Sequence, residues 1–402
     1  MYQIIPIFLL SSFAFASDFS EALNSSVTHN PSVKSKLSEL SGKGFSLRSA
    51  EAKFFPTLSL EASAVKDGQD QGFFRADQPV WTFGKLTNDV DEARGEIESK
   101  KLELLQTQRS VMEQTAYAYI DIQSLRRQLE VSEKNISEHT SLNDHILSRL
   151  DSQLATEADL SLGQSRLIQA QSQSKKIKGQ LQNAITNLQS LTIKPVEVGS
   201  DQPHFINDAE DNSIILQLSM DKSADILLKR ALLASANVRV SKAGSASMPD
   251  IKLRFEQDVF DNTVTGDKDS RVSLVFESSL DGLGFVASNN LSASREGYAA
   301  ASEDLNDTIN RVRRDVTSLL SDKETHADLV DAQTKTVLAV TKTQSSYLRL
   351  FKSGHKSWLD VLNIQRELTE ERLELERLIG DYQKVLIKLA RMSGQLDELA
   401  GI

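Results

Sequence analysis

Two periodicities take turns along this chain. From Thr57 to Ala64, Leu58, Leu60, Ala62 and Ala64 alternate with Thr57, Ser59, Glu61 and Ser63; farther on, Ile251, Leu253 and Phe255 alternate with Lys252, Arg254 and Glu256. A period of two marks a strand with one apolar and one wet face. Partner segments of similar length follow around Phe74 to Phe83 and Val272 to Leu280. Each approaches the roughly 9 to 11 residues that cross a bilayer as a tilted strand. The polar runs Lys66 to Gly72 and Asp261 to Ser270 read as the turns between them. Phe73, Phe74, Trp81 and Phe83 are candidate interfacial aromatics, because Phe74 to Trp81 would span roughly 23 Å of strand, near the height of a barrel's apolar band. The alternative places them in the core of a soluble sheet.

The second periodicity is helical. Leu104, Val111, Ala118 and Leu125 form one row of a coiled-coil seam, and Ile122, Leu129 and Ile136 form another. All prolines lie outside Leu86 to Lys194 and Phe285 to Ile402, so both stretches can run as uninterrupted helix. A single helix from Lys85 to Asp151 would be about 100 Å long, more than a globular domain requires.

The order of elements occurs twice. One fixed offset puts Val33 on Ile226, Lys36 on Lys229, Ala50 on Ala243 and Pro56 on Pro249; a slightly longer one puts Leu147 on Leu348, Asp159 on Asp360 and Gln164 on Gln365. The first repeat is predicted at 17–194, with strands at about 56–66 and 72–83 and long helices at about 85–151 and 156–194. A linker or equatorial segment occupies 195–222. The second repeat covers 223–402, with strands at about 250–260 and 270–281 and long helices at about 285–353 and 357–395.

Residues 1–16 hold an apolar run that ends in Ala14-Phe15-Ala16, which reads as a secretory signal peptide. Beyond it no stretch approaches the ~20 apolar residues of a membrane-spanning helix, so any crossing uses strands. Four strands cannot close a barrel, and lipid does not tolerate an open sheet edge; the chain must therefore oligomerise. The expected fold is that of a mixed α/β membrane protein with two repeats. With no cysteine there is no disulfide framework or thiolate site, and a net charge of −10 argues against a nucleic-acid partner. No nucleotide-binding loop or nucleophile elbow is present, and the spacing of His139 and His145 does not suit a metal. We expect no catalytic residue, metal or cofactor, and energy for transport supplied by a partner.

Several segments resemble the TolC-like outer-membrane factor family over nearly the whole mature chain: Asn30-Pro31, the approach to Pro56 (SAEAKFFPTLSL), DQPVWTFGK from Asp77 to Lys85, and FKSGHKSWLDVLNIQRELTEERLELE from Phe351. The resemblance implies a homotrimer in the outer membrane of a Gram-negative bacterium. It would form a twelve-stranded transmembrane barrel continued by an α-helical tunnel, closed at its periplasmic tip until a periplasmic adaptor and an inner-membrane transporter dock. It also places Asp360 on the first of the family's acidic ring positions at the pore constriction. Asn363 stands on the second, where members with two rings carry aspartate, so a weaker negative constriction is expected. The competing reading makes Asp360 a helix cap after Trp358-Leu359, and the two are compatible. Lys356 matches a basic position used in closing interactions between helices, and Phe351 stands where some members have tyrosine. Gly354, His355, Trp358, Leu154 and Thr156 would lie at the tip that meets the adaptor; the first-repeat turn, Asp151 to Asp159, lacks the glycine of the second.

The GHKSWLDVLN turn is most similar to members that export large adhesins through an ABC-transporter system, which suggests type I secretion. The alternative is the outer-membrane component of a drug or metal efflux pump, with an RND pump as partner. A periplasmic coiled-coil adaptor is the rival of a different class; it would lack paired bilayer-length strands.

Overall fold

The computed structural model describes residues 18–63, 71–199, 203, 205, 211–258, 269–279 and 281–402. The expected signal peptide, most of both strand-connecting turns and Leu280 lie outside these residues. The elements run α1 (Asp18–His29), α2 (Pro31–Ala52), β1 (Thr57–Ser63), β2 (Gln71–Trp81), α3 (Lys85–Asp151), α4 (Glu157–Thr192), α5 (Asn212–Lys222), α6 (Ala224–Ser245), β3 (Asp250–Asp258), β4 (Ser270–Glu277), α7 (Phe285–Lys352), α8 (Trp358–Ser393) and α9 (Gln395–Ala400). The chain is a two-repeat protomer, mostly helical, with one four-stranded antiparallel sheet in the order β1-β2-β3-β4. No helix among the described residues is long and apolar enough to cross a membrane. The chain divides into two compact units, one of Ser32–Thr107 and Met220–Arg314, the other of Met1–Pro31, Gln108–Ser219 and Asp315–Ile402.

The sheet belongs to the first of these units, and its register sorts the side chains by face. Leu58 pairs with Ala76, which pairs with Phe255, which pairs with Val272. Directly opposed residues share a face, so this row continues through Leu60, Phe74, Leu253, Leu274 and Phe276 as an apolar surface. It is exposed: Leu60 keeps 72% of its surface and Leu274 69%. The other face is charged. Ser59, Arg75, Glu256 and Arg271 stand in one row, and Glu256 accepts from Arg75 at 3.2 Å and from Arg271 as well. In the next row Arg254 forks onto Asp77 at 2.7 and 3.0 Å, and beyond it Lys252 reaches diagonally to Glu277 at 2.9 Å. The candidate aromatics divide between the faces. Phe74 and Trp81 belong to the apolar side, whereas Phe73 lies on the charged side with the Arg75 guanidinium 4.5 Å from its ring centre.

The turn into each long helix is built the same way in both repeats. Phe83 and Gly84 take φ of 49° and 86°, and Leu283 and Gly284 take 56° and 89°. Successive left-handed residues, two in the first repeat and three in the second where Gly282 adds a φ of 57°, reverse the chain from strand to helix, and glycine fills the last position without steric cost. In the same unit α2 and α6 flank the start of α3. Ala50, Val90 and Ala93 make a small core, and Lys43–Glu96, Lys53–Asp89 and Lys242–Glu92 pair at 2.7 Å. Such surface pairs contribute roughly 0.2–1 kcal/mol each, so they set register more than stability.

In the second unit α1 is clasped by backbone acceptors at the end of α4 and at the end of α9. Ser25 donates to Thr192 O at 3.1 Å, Asn30 to Leu191 O at 3.2 Å and Asn24 to Ala400 O at 2.9 Å. The segment expected as a linker or equatorial segment has structure of its own. It contains α5, and its described part near Gly199 is bound to α3, with Gly199 N–H donating to the Tyr119 hydroxyl at 3.0 Å and Gln123 donating to Gly199 O at 2.8 Å. Side chains join these backbone contacts: Val198 and Ile215 are buried, and the Phe205 ring stands edge-on to Phe19 at 5.8 Å. Arg109, whose side chain is 6% exposed, holds both carboxylate oxygens of Asp397 at 2.6 to 3.1 Å. Asp397→Asn keeps the volume but takes the charge from a buried bidentate pair. We expect a loss of about 3 kcal/mol in urea unfolding followed by circular dichroism.

Candidate functional site

The candidate site lies where each pair of long helices reverses direction, and both turns belong to the second unit. They are built from the same local chemistry. Thr156 is the N-cap of α4 and Ser357 that of α8. The Asp159 N–H donates to Thr156 Oγ1 at 3.2 Å while Asp159 Oδ2 accepts from Thr156 N–H at 3.0 Å. The Asp360 N–H likewise donates to Ser357 Oγ at 3.2 Å, and Asp360 Oδ2 accepts from Ser357 N–H at 3.1 Å. Each is a reciprocal capping box that satisfies two otherwise orphaned helix-end donors.

The preceding residues match as well. His355 N–H donates to Leu350 O at 2.8 Å and Leu154 N–H to Arg149 O at 2.7 Å, each closing the end of its helix. Gly354 takes φ of 81°, and Gln153, at the corresponding place, takes 61°. The first turn therefore reaches the same left-handed conformation without a glycine, at a steric cost that glycine would avoid.

Asp360 closes the capping box of α8 from the helix's first turn, and its geometry leaves room for a second role. Oδ2 receives the Ser357 backbone and hydroxyl and the Lys356 ammonium at 3.8 Å, whereas no hydrogen bond among the described residues reaches Oδ1. The Ser357 hydroxyl and backbone N–H hold the Asp360 carboxyl below its ordinary range, and Lys356 adds to this. The Lys356 ammonium also stands 4.3 Å from the centre of the Tyr347 ring on α7. Asn363 is exposed on α8.

Of the expected tip residues, Gly354, His355, Leu154 and Thr156 are exposed, Leu154 at 68%. Trp358 is not: it is 5% exposed and forms the centre of the apolar cluster with Leu142, Ile146, Phe351, Val361 and Leu362. Its indole N–H donates to Asp159 O at 3.0 Å, joining the second turn to the first, and the Phe351 ring packs 5.6 Å from it. Where the family resemblance suggested a hydrogen-bonding tyrosine, Phe351 is thus core. Gly163 makes this packing possible, since a Cβ there would stand 2.1 Å from Asn143 Oδ1 and 3.2 Å from the Trp358 ring.

Behind the turns a polar layer crosses the bundle. Gln365 donates to Asn135 Oδ1 at 3.2 Å and to Glu138, and accepts from Gln344 at 3.0 Å, so α3, α7 and α8 meet at one buried amide. A groove of about 630 Å³ opens beside it, lined in part by Leu142, His145, Arg149, Leu348 and Phe351. Sequence reasoning missed Asp159 as a site residue, although the repeat offset already placed it on Asp360. It did not find Gln365, whose neighbours come from distant segments.

Two outcomes follow from the turns. Gln153→Gly relieves a left-handed residue and should slow hydrogen exchange of the Leu154 amide several-fold, a gain of about 1 kcal/mol. For Asp360 the folded-state pKa is depressed, so its contribution is complete above the unfolded carboxylate range near pH 4 and is lost as pH falls through the lower folded value. Amide exchange at the start of α8 should accelerate there, and Ser357→Ala should abolish most of that pH dependence.

Comparison with known proteins agrees with the architecture. The family model described as outer membrane efflux protein matches residues 22–192 and 215–395, one match for each repeat. Among solved structures, CusC, described for the conformational changes that accompany folding and transmembrane channel formation, superposes with a TM-score of 0.81 at 18% identity, covering 98% of this chain and 95% of that one. The outer membrane protein VceC of Vibrio cholerae gives 0.79 at 16% identity, with 94% and 96% covered. The open state of the MtrE outer membrane channel of Neisseria gonorrhoeae gives 0.77 at 14%, with 94% and 89% covered. No curated protein gives a significant match. With two family matches that together span most of its length, this chain belongs to the outer membrane efflux protein family and is an outer-membrane channel, not an enzyme.

Proposed function

We propose that the protein is the exit duct of a tripartite export machine, a homotrimer whose protomers each supply four strands to a shared barrel and long helices to a periplasmic tunnel. The sheet carries this reading. It has one exposed apolar face, one face of paired charges, and strands of 7 to 11 residues, and among the described residues β1 and β4 have no further strand partner. A lipid-facing surface, a lumen and two edges to be joined account for all three features. The exposed turn residues Leu154, Thr156, Gly354 and His355 are the surface offered to a periplasmic adaptor. Cross-linking of the outer-membrane fraction, with heat-modifiable gel migration, should give a trimer; a soluble periplasmic species would overturn the barrel.

At the tip, Asp360 supplies one carboxylate per protomer to the pore constriction, with Asn363 next along α8 and Lys356 tempering the charge. The single-sided use of Oδ2 supports this, because the cap leaves the other oxygen available to passing cations. Single-channel recordings of Asp360→Ala should show larger conductance and weaker cation selectivity, and an unchanged channel would refute the assignment.

For cargo we favour type I secretion of a large protein such as an adhesin, driven by an inner-membrane ABC transporter, on the resemblance of the GHKSWLDVLN turn. The family's description as efflux proteins favours the second reading, a drug or metal pump with an RND transporter. Deletion separates them: loss of a surface protein supports the first, and sensitivity to drugs or metals with an intact surface supports the second.

A further inference from the structure

Below the turns the two repeats part company. The offset that aligns the turns also puts His139 on Val340, Gly163 on Ile364 and Arg166 on Glu367. In the second repeat Val340, Ile364 and Leu368 form an apolar core. At the corresponding level of the first repeat there is instead a cavity of about 310 Å³, with Asn135, His139 and Arg166 and, from α4 and α8, Gln169, Arg366 and Glu370 in its wall. The seam of a coiled coil does not require these polar groups, as its apolar counterpart shows.

Some of them are unsatisfied. His139 is 4% exposed, and its Nδ1 is buried with no hydrogen-bond partner. The Arg166 Nε is in the same condition, although its Nη1 donates to Gln169 Oε1 at 3.0 Å. Buried polar atoms without partners are rare and call for an occupant. The wall also leans positive: the half-buried Arg166 and the exposed Arg366 stand with one carboxylate, the exposed Glu370, and no ion pair within 4.0 Å joins either arginine to an acid among the described residues.

We propose that this cavity is a binding site for a small oxyanion of the phosphate, sulfate or carboxylate class, held by Arg166 and Arg366 with His139 as a neutral hydrogen-bond donor. Guanidinium groups suit such anions because their planar N–H pairs match two oxygens at once. Burial and the nearby Arg166 keep the imidazole below its ordinary range, so near neutral pH it carries a single N–H. The bound anion links α4 of the first helical pair to α8 of the second, a few turns behind the capped ends.

The test is thermal unfolding of the purified full-length protein in detergent, with inorganic phosphate or sulfate exchanged for chloride at constant ionic strength. We expect a saturable rise in Tm for the wild type and an apparent affinity at least ~10-fold weaker in Arg366→Gln, a change at an exposed side chain that leaves the core untouched. Arg166→Gln should abolish the rise, and its circular dichroism spectrum and Tm in chloride report whether it has folded. The same phosphate response in both folded variants, or no greater response to phosphate than to chloride in the wild type, overturns the site. Neither outcome depends on conduction, so failure here leaves the channel reading untouched.

Discussion

Every peptide group that enters hydrocarbon must have a hydrogen-bond partner, since each one left unpaired costs several kcal/mol. In this chain that requirement falls on the outer edges of β1 and β4. The sheet's apolar face suits lipid, but its two edges present N–H and C=O groups that no described strand meets. A single protomer cannot satisfy them by curling, because four strands are too few to close a barrel. Joining edge to edge with further copies does so, and this is why the proposed function needs an assembly. The charged face then has its own logic. Glu256 between Arg75 and Arg271, and Asp77 beneath Arg254, pair their charges across neighbouring strands, so a surface withdrawn from lipid carries little net charge and keeps its register.

The turns show duplication preserved in backbone chemistry and relaxed in side chains. Thr156 with Asp159 and Ser357 with Asp360 form the same capping box, because a helix that starts just after a reversal must satisfy the same orphan donors in either repeat. What surrounds the boxes has diverged. Trp358 fills the centre of the cluster and reaches the Asp159 carbonyl, while its counterpart Glu157 is exposed. One bulky residue inserted between two equivalent turns removes their equivalence and gives the pair a single core.

Much of the fold was legible before any coordinates. Alternation at Leu58, Leu60, Leu253 and Phe255 identified the strands and their apolar face, since period two has no other simple reading. Proline-free stretches marked the long helices, and the offset pairing Asp159 with Asp360 revealed the repeat. The candidate site was read less completely. Trp358 looked like a surface residue at the tip because it sits beside a glycine turn, and only its cluster partners on α3 and α7 show it to be buried. The left-handed Gln153 left no sign, as glutamine has no preference for that conformation. Gln365 and His139 sit within ordinary helical periodicity, where a polar residue facing inward cannot be told from one facing water.

The amino-acid sequence alone determined the local periods, the uninterrupted helices and the repeated order of elements, because each depends on a pattern carried by the chain itself. Tertiary structure decided which charges share a strand row, that Asp360 engages through one oxygen, that Trp358 is core, and that the seam around His139 encloses a polar cavity. Each of these depends on residues brought together from far apart in the chain, and burial and hydrogen-bond partnership are properties of that juxtaposition, which no local pattern specifies.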